Sequence, residues 1–471
     1  MNKEETIITK NDRLNCTSNE GESLAGNFAH PCSLREPLAR VFEENSVVSD
    51  SERTTPSPRG SAPKTPRKSK RNYAVLDEFT DGKIFDENYA LISHYIQLQN
   101  SASSEKYRKI LEKNGVDVSN LPKKDDFNAR LDVPFGTPKN PSFTFIDLFA
   151  GIGGFRLAMQ ACGGECVFSS EWDDAAKQTY FENYGEVPFG DITKPETKKM
   201  IPEHFDVLCA GFPCQPFSNA GLKKGIEDTR GTLFYHIAEI LENYHPKAVL
   251  LENVRGLVSN DKGKTLKTIL QTITNIGYEC NIPQKIIDNE PVAKLQKEAS
   301  KMILSAKDFG VPQNRPRIYI VLWKKELNIE SFEYPAPLNI ETHVGDVLIK
   351  DEILTAPFTI SDRLWKGHQK RKIRNVQKGN GFGYCSFNSE SPYTSTLSRR
   401  YYKDGSEILI EQSGKNPRKL TPREAARLQG YSDLFRLHPS NTESYKQFGN
   451  SVAVPVVTAV SQNIVNQILG R

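Results

Sequence analysis

From Phe143 onward the chain alternates short apolar runs with stretches in which apolar residues recur at helical spacing. FTFIDLF (143–149), CVFSSEW (166–172), FDVLCAGFPC (205–214), KAVLLENVRGL (247–257) and the end of DFGVPQNRPRIYIVLW (308–323) have the length and near-continuous apolar character of strands buried on both faces. PFGDIT (188–193) is a shorter candidate strand end. The first run leads into a Gly-rich turn and then RLAMQA, whose apolar positions fit a helix. Strand, turn and helix in repetition predict an α/β fold built on a doubly wound, Rossmann-like sheet.

The N-terminal third reads differently. Residues 1–71 are rich in Ser, Thr, Pro, Asn and Glu and end in PRGSAPKTPRKSKR, a composition that cannot bury enough apolar surface to order itself. They are expected to form a disordered basic tether, either touching nucleic-acid phosphates or acting as a solvated linker. In residues 72–130, FDENYALISHYIQLQ and SEKYRKILEKNG carry helical periodicity, with Gly115 placed to end the second helix. A small helical module packed on the main domain is the expectation.

Composition adds exclusions. The 471 residues are 37% hydrophobic and 25% charged, with a formal net charge of +4, ordinary values for a soluble chain with a sizeable core. No run of 18 apolar residues occurs and MNKEETIITKNDR lacks the apolar core of a signal peptide, so a cytoplasmic chain without membrane contact is expected. Eight cysteines without a CxxC pair argue against a disulfide framework and against a structural metal site.

Chemistry gathers where the strands end. Glycines 151, 153 and 154 let backbone approach a ligand, Glu171 stands where an acidic group can accept from ribose hydroxyls, and Trp172 offers a flat face for adenine. Asp191 and Ile192 are placed for the adenine edge and ring. The turn FAGIGG lacks the GxGxxG spacing of a dinucleotide fingerprint, so a cofactor carrying adenosine without phosphates fits better, S-adenosylmethionine first among them. Cys214 follows one strand, Glu252 and Asn253 end another, and Gln313, Arg315 and Arg317 enter a third. A thiol, a carboxylate and cations around an adenosyl pocket suit covalent catalysis.

In order, the motifs DLFAGIGG, EW, GDI, GFPCQPFS, ENV, QNRPR, RKLTPREAARLQGY and QFGNSVAVPVV resemble those of the DNA (cytosine-5)-methyltransferase family, over roughly the last two-thirds of the chain. The resemblance implies an S-adenosylmethionine-dependent methyltransferase domain at 143–330 and 418–471, a smaller target-recognition domain at 331–417, and an N-terminal extension. It implies methylation of carbon 5 of a cytosine flipped out of a short double-stranded DNA site. Cys214 would attack carbon 6, Glu252 would protonate N3, and Arg317 would bind the O2 edge; Arg315 is implied as a further catalytic residue. Cofactor contacts are implied at Phe149, Ala150, Gly151, Gly153, Glu171, Trp172, Asp191, Ile192, Pro213, Leu233, Asn450, Ser451 and Val452. DNA contacts are implied at Gln215, Ser218, Thr394, Thr396, Ser398 and Arg399, with Lys370, Arg371, Lys372 and Arg374 on phosphate; Thr396 and Leu397 would alternatively serve only to fold the small domain.

Several further expectations follow from the resemblance. TSTLSRRYYKDGSEILI suggests a palindromic site of the GGNCC kind, a restriction endonuclease is a candidate functional partner, and the chain is expected to act as a monomer. A tRNA-methylating branch shares these motifs, but the long recognition region and basic tether favour DNA. A catalytically silent homologue would have lost the nucleophile, and Cys214 is present. The charged stretch EPVAKLQKEASKM reads as an insertion ahead of Gln313.

Overall fold

Seven strands build the central sheet in the computed structural model, which describes residues 86–213, 233–381 and 383–471. The expectations for the tether at 1–71, for Cys214 and for Gln215 and Ser218 lie outside the described residues. The strands are β1 (Phe143–Leu148), β2 (Gly164–Ser170), β3 (Val207–Gly211), β4 (Ala248–Val254), β5 (Tyr278–Glu279), β6 (Ile303–Ser305) and β7 (Pro316–Lys324). They run in the order β2-β1-β3-β4-β7-β5, with β6 also paired to β7. The first four are parallel, and β7 is antiparallel to β4, β5 and β6. The chain passes from β1 to β2 on one side and then places β3 on the other, so the winding direction reverses between β1 and β3. Open α/β sheets bind ligands at the carboxyl ends of the strands beside such a reversal.

Alternation along the strands sends side chains to two separate cores, as a period of two requires. Ile146, Leu148, Leu208, Ala210, Val249 and Leu251 pack with the helices Leu233–Tyr244 and Lys264–Ile276 on one face. Phe143, Phe145, Cys209, Leu250 and Val321 pack with the helices Gly154–Ala161 and Val454–Ile464 on the other. Helices thus cover both faces, as the doubly wound pattern predicted. The segment Asn441–Leu469 has the length and apolarity of a membrane span, but the chain leaves the helix at Ser451–Ala453 and most of the segment is buried inside the protein.

Two sequence readings are refined. PFGDIT does not form a strand: Phe189 makes a single parallel bridge to Ser170 at the edge of β2, and the chain then turns at Asp191. EPVAKLQKEASKM includes the helix Val292–Ser300, whose Leu295 and Ala299 are buried in the first core, and β6 follows it into the sheet.

Before the sheet come the helices Glu87–Gln97, Ser104–Lys113 and Lys124–Leu131. Gly115, two residues beyond the second, takes a φ of 81° that any side chain would strain. Tyr89, Ile92, Ile96, Tyr107 and Phe127 join the first core, so these helices pack on the edge of the sheet.

After β7 the regular alternation stops. The interval contains the basic helix Asp362–Gln377 and a pair of two-residue strands, Ser386–Phe387 and Leu409–Ile410. A third core forms from Leu397, Tyr401, Ile408 and Ile410 of this interval with Leu420, Leu428, Tyr445 and Phe448 of the returning chain. The helix Pro422–Arg427 starts as the sequence suggests, with proline in its first turn and a reciprocal capping box between Thr421 and Glu424. Glu424 also accepts two bonds of 2.8 Å from the buried Arg418, fixing the return of the chain.

Candidate active site

The turn after β1 is shaped to admit a ligand. Phe149, Gly151 and Gly153 have positive φ angles of 55°, 56° and 80°. A Cβ on Gly153 would stand 2.4 Å from the Tyr184 ring, so no other residue fits there without displacing it. At Gly154 a Cβ would fall 2.7 Å from Val452 and 3.2 Å from the Ser451 hydroxyl, which shows how closely the end of the chain covers this turn. Ser451 is held there by a 2.7 Å hydrogen bond with the Tyr431 hydroxyl, while Asn450 beside it is exposed.

Glu171, at the end of β2, joins the turn to the next strand. Its carboxylate accepts from the backbone N–H groups of Gly151, Trp172 and Asp173, each at 2.8 Å. Burial raises its pKa, and these three donors work against that shift by favouring the charged form. Trp172 is 75% exposed, its face open to solvent. Across from it the chain turns at Asp191, whose carboxylate accepts from Thr193 N–H at 2.9 Å, with Ile192 buried behind. Ala150 is buried, Pro213 is exposed at the tip beyond β3, and Leu233, half-buried, opens the helix that follows. The turn, Glu171, Asp191 and Ser451 therefore lie around the carboxyl ends of β1 and β2.

The same edge carries a second cluster. Glu252 pairs in register with Gly211 of β3 and with Tyr319 of β7, and Val254 pairs with Arg317. Because β7 is antiparallel, its beginning meets the carboxyl end of β4. Arg317 Nε thereby reaches Glu252 Oε1 at 3.1 Å. Burial raises the Glu252 pKa, partly offset by Arg317 and then Arg315. Asn253, next along β4, donates to Phe212 O at 2.8 Å and fixes the chain two residues ahead of Cys214.

Arg315, expected among the catalytic residues, has a set of contacts within the protein. It is buried, and its guanidinium donates to the backbone carbonyls of Leu397 (2.8 Å), Gly449 (3.2 Å) and Ser451 (2.6 Å). Burial, and then the charge of Arg317, pull its pKa down to about 9, which leaves it cationic at neutral pH. Its contacts tie β7 to the recognition interval and the C-terminal turn. Gln313 completes the strut: it accepts from Leu397 N–H at 2.9 Å and donates to Leu428 O at 2.6 Å. Sequence reasoning saw Gln313 as a strand entrance; a polar residue flanked by prolines at 312 and 316 was the available signal.

The residues expected as readers in TSTLSRRYY make bonds within the protein. Thr394 is buried and bonded through its N–H to Pro312 O. Thr396 donates its hydroxyl to Asn314 O at 2.7 Å, and the Ser398 hydroxyl donates to Glu407 while accepting from Arg400 N–H. Arg399 is exposed. On the basic helix, Lys370, Lys372 and Arg374 are exposed, but Arg371 is tied to Asp404, Gly383 O and His368.

A family model described as C-5 cytosine-specific DNA methylase matches residues 143–466. The chain belongs to this family. It is 52% identical over 338 residues to the Type II methyltransferase M.SsoII of Shigella sonnei, covering 71% of this chain and 83% of the relative. It is 40% identical over 330 residues to the Type II methyltransferase M.HhaI of Haemophilus parahaemolyticus, covering 68% of this chain and 93% of the relative. The fold is shared with the Dnmt2 methyltransferase of S. pombe, at a TM-score of 0.51 and 18% identity, over 69% of this chain and 98% of that one. The methylase therefore transfers a methyl group to carbon 5 of cytosine in DNA.

Proposed function

We propose that S-adenosylmethionine binds in the crevice between the turn after β1 and Glu171, and that a cytosine flipped from double-stranded DNA enters beside Glu252. The observation that carries the reading is the buried Glu252–Arg317 pair at the carboxyl end of β4, one strand from the segment that leads into Cys214. The residues present fit the cofactor: at Gly151 a Cβ would meet nothing nearer than 4.0 Å, which leaves space over the turn, and the Glu171 carboxylate is already oriented by three amides. When bound, S-adenosylmethionine supplies the methyl group.

The chain's residues do the rest. Cys214, as thiolate, adds to carbon 6, and Glu252 gives a proton to N3 so that carbon 5 becomes nucleophilic. Burial raises the Glu252 pKa towards retaining the proton it must deliver, and Arg317 holds the carboxyl group and faces the O2 edge. After transfer, carbon 5 gives its proton to water, the thiolate is expelled, and the N3 proton returns to the Glu252 carboxylate, which restores the ring and the acid.

Residues 143–330 and 418–471 form the catalytic domain in this reading. Residues 331–417 form the recognition domain, with Arg399 toward base edges and Lys370, Lys372 and Arg374 on phosphates. A monomer acting in the cytoplasm beside a cognate restriction endonuclease is consistent with relatives named as Type II methyltransferases. The cofactor site is tested by Glu171→Gln, which must turn an amide NH2 toward at least one of three N–H donors. S-adenosylmethionine affinity is expected to fall about tenfold or more by calorimetric titration, the cost of a buried donor left without an acceptor. Unchanged affinity would place the nucleoside elsewhere.

A further inference from the structure

We propose that the helix Glu87–Gln97, which precedes the residues matched to the family, sets the affinity of the nucleoside pocket through His94, a positioning residue. The inference rests on the reading of that pocket as the S-adenosylmethionine site.

His94 is fully buried and lies beneath both arms of the pocket. Its Nδ1 lies 2.9 Å from Ala90 O in its own helix, and its Nε2 lies 3.3 Å from Ser169 N, two residues before Glu171. Burial holds the imidazole pKa below its usual value against the opposing charge of Glu186, and the neutral ring that donates from Nδ1 to Ala90 O accepts at Nε2 from Ser169 N–H. Its face packs on Phe189, with ring centroids 4.3 Å apart. Phe189 in turn accepts from Glu171 N–H through its carbonyl and donates its own N–H to Ser169 O, both at 2.9 Å, and it stands two residues before Asp191. One side chain from outside the shared region thus contacts the strand end carrying Glu171 and Trp172 as well as the turn carrying Asp191 and Ile192.

Neighbouring contacts reinforce the same junction. Ser93 accepts from Val187 N–H at 3.0 Å, and Tyr107 donates to Val167 O at 2.9 Å. Glu186, 3.2 Å from His94 Nε2, also accepts from Ser169 Oγ and from the buried Arg156, which belongs to the helix that follows the Gly-rich turn. The three edges of the pocket therefore meet in one buried network closed by the N-terminal helix. If only global stability depended on His94, its loss would reduce the folded fraction and leave the pocket of the remaining molecules unchanged.

The test uses the full chain with His94→Leu, His94→Gln and Ser93→Ala, comparing KM for S-adenosylmethionine with kcat on duplex DNA, and confirming folding by thermal melting. Removing the acceptor for Ser169 N–H in His94→Leu is expected to raise KM for S-adenosylmethionine about tenfold while kcat at saturating cofactor stays within about twofold. His94→Gln can supply an acceptor near the Nε2 position and is expected to recover most of the affinity. The milder Ser93→Ala, which keeps the fold if His94→Leu does not, is expected to raise the same KM about threefold. An unchanged KM in Ser93→Ala and in whichever His94 variant folds would overturn the inference and leave the pocket assignment standing. A wild-type chain that does not bind S-adenosylmethionine would overturn both.

Discussion

Methyl transfer is expected to vanish when Cys214 is replaced by alanine, while S-adenosylmethionine and duplex DNA still bind. Carbon 5 of cytosine is too weak a nucleophile to take a methyl group unaided, and only addition of a thiolate at carbon 6 converts the ring into a reactive enamine. Alanine removes the attacking atom and little else, because the backbone leading to position 214 is fixed independently: β3 is paired on both sides, and Asn253 holds Phe212 O. In the proposed reading cofactor binding depends on the turn after β1 and on Glu171, whose carboxylate is held by Gly151 N–H. Labelled-methyl incorporation checks the activity, and calorimetry with mobility shift checks binding. Appreciable turnover by the alanine variant would remove Cys214 from the reaction.

Glu252→Gln is expected to slow single-turnover methylation by on the order of a hundredfold or more, the usual range for loss of a general acid. Glutamine preserves the shape and can still bond to Arg317 through its carbonyl, but it has no proton to give N3. The raised pKa of Glu252 has burial as its largest cause, which suits a group that must be a carboxylic acid when the thiolate attacks. Binding of S-adenosylmethionine should change little, since Glu252 lies at the end of β4 and the cradle lies after β1. Trapping on DNA containing 5-fluorocytosine should slow with the variant, because addition at carbon 6 depends on the same proton. A glutamine variant that traps at the wild-type rate would make Glu252 structural.

The strands were legible because burial on both faces demands uninterrupted apolar runs, and no other local signal mimics FTFIDLF or AVLLENV for long. The charges at the edges of those runs, Glu171 and Glu252 at carboxyl ends and Arg317 at an entrance, were conspicuous for a related reason: a charge at the end of a buried strand needs a partner. What the sequence concealed lies in bonds between distant segments. Thr394 and Ser398 looked like polar readers, yet their segment is pinned to residues 312–315, about 80 positions earlier. Arg315 looked like Arg317, and only the antiparallel arrival of β7 separates a guanidinium facing Glu252 from one enclosed by carbonyls. His94 sits in an ordinary amphipathic pattern, YALISHYI, where nothing local announces that its ring reaches β2.

The most direct test of the central claim is to incubate the full-length protein with S-adenosylmethionine tritiated in its methyl group, together with duplex DNA or with tRNA, and to digest the products to nucleosides. The label is expected in 5-methyldeoxycytidine from the duplex. Label recovered in 5-methylcytidine from tRNA with none in DNA, or in a base other than cytosine, would contradict the account.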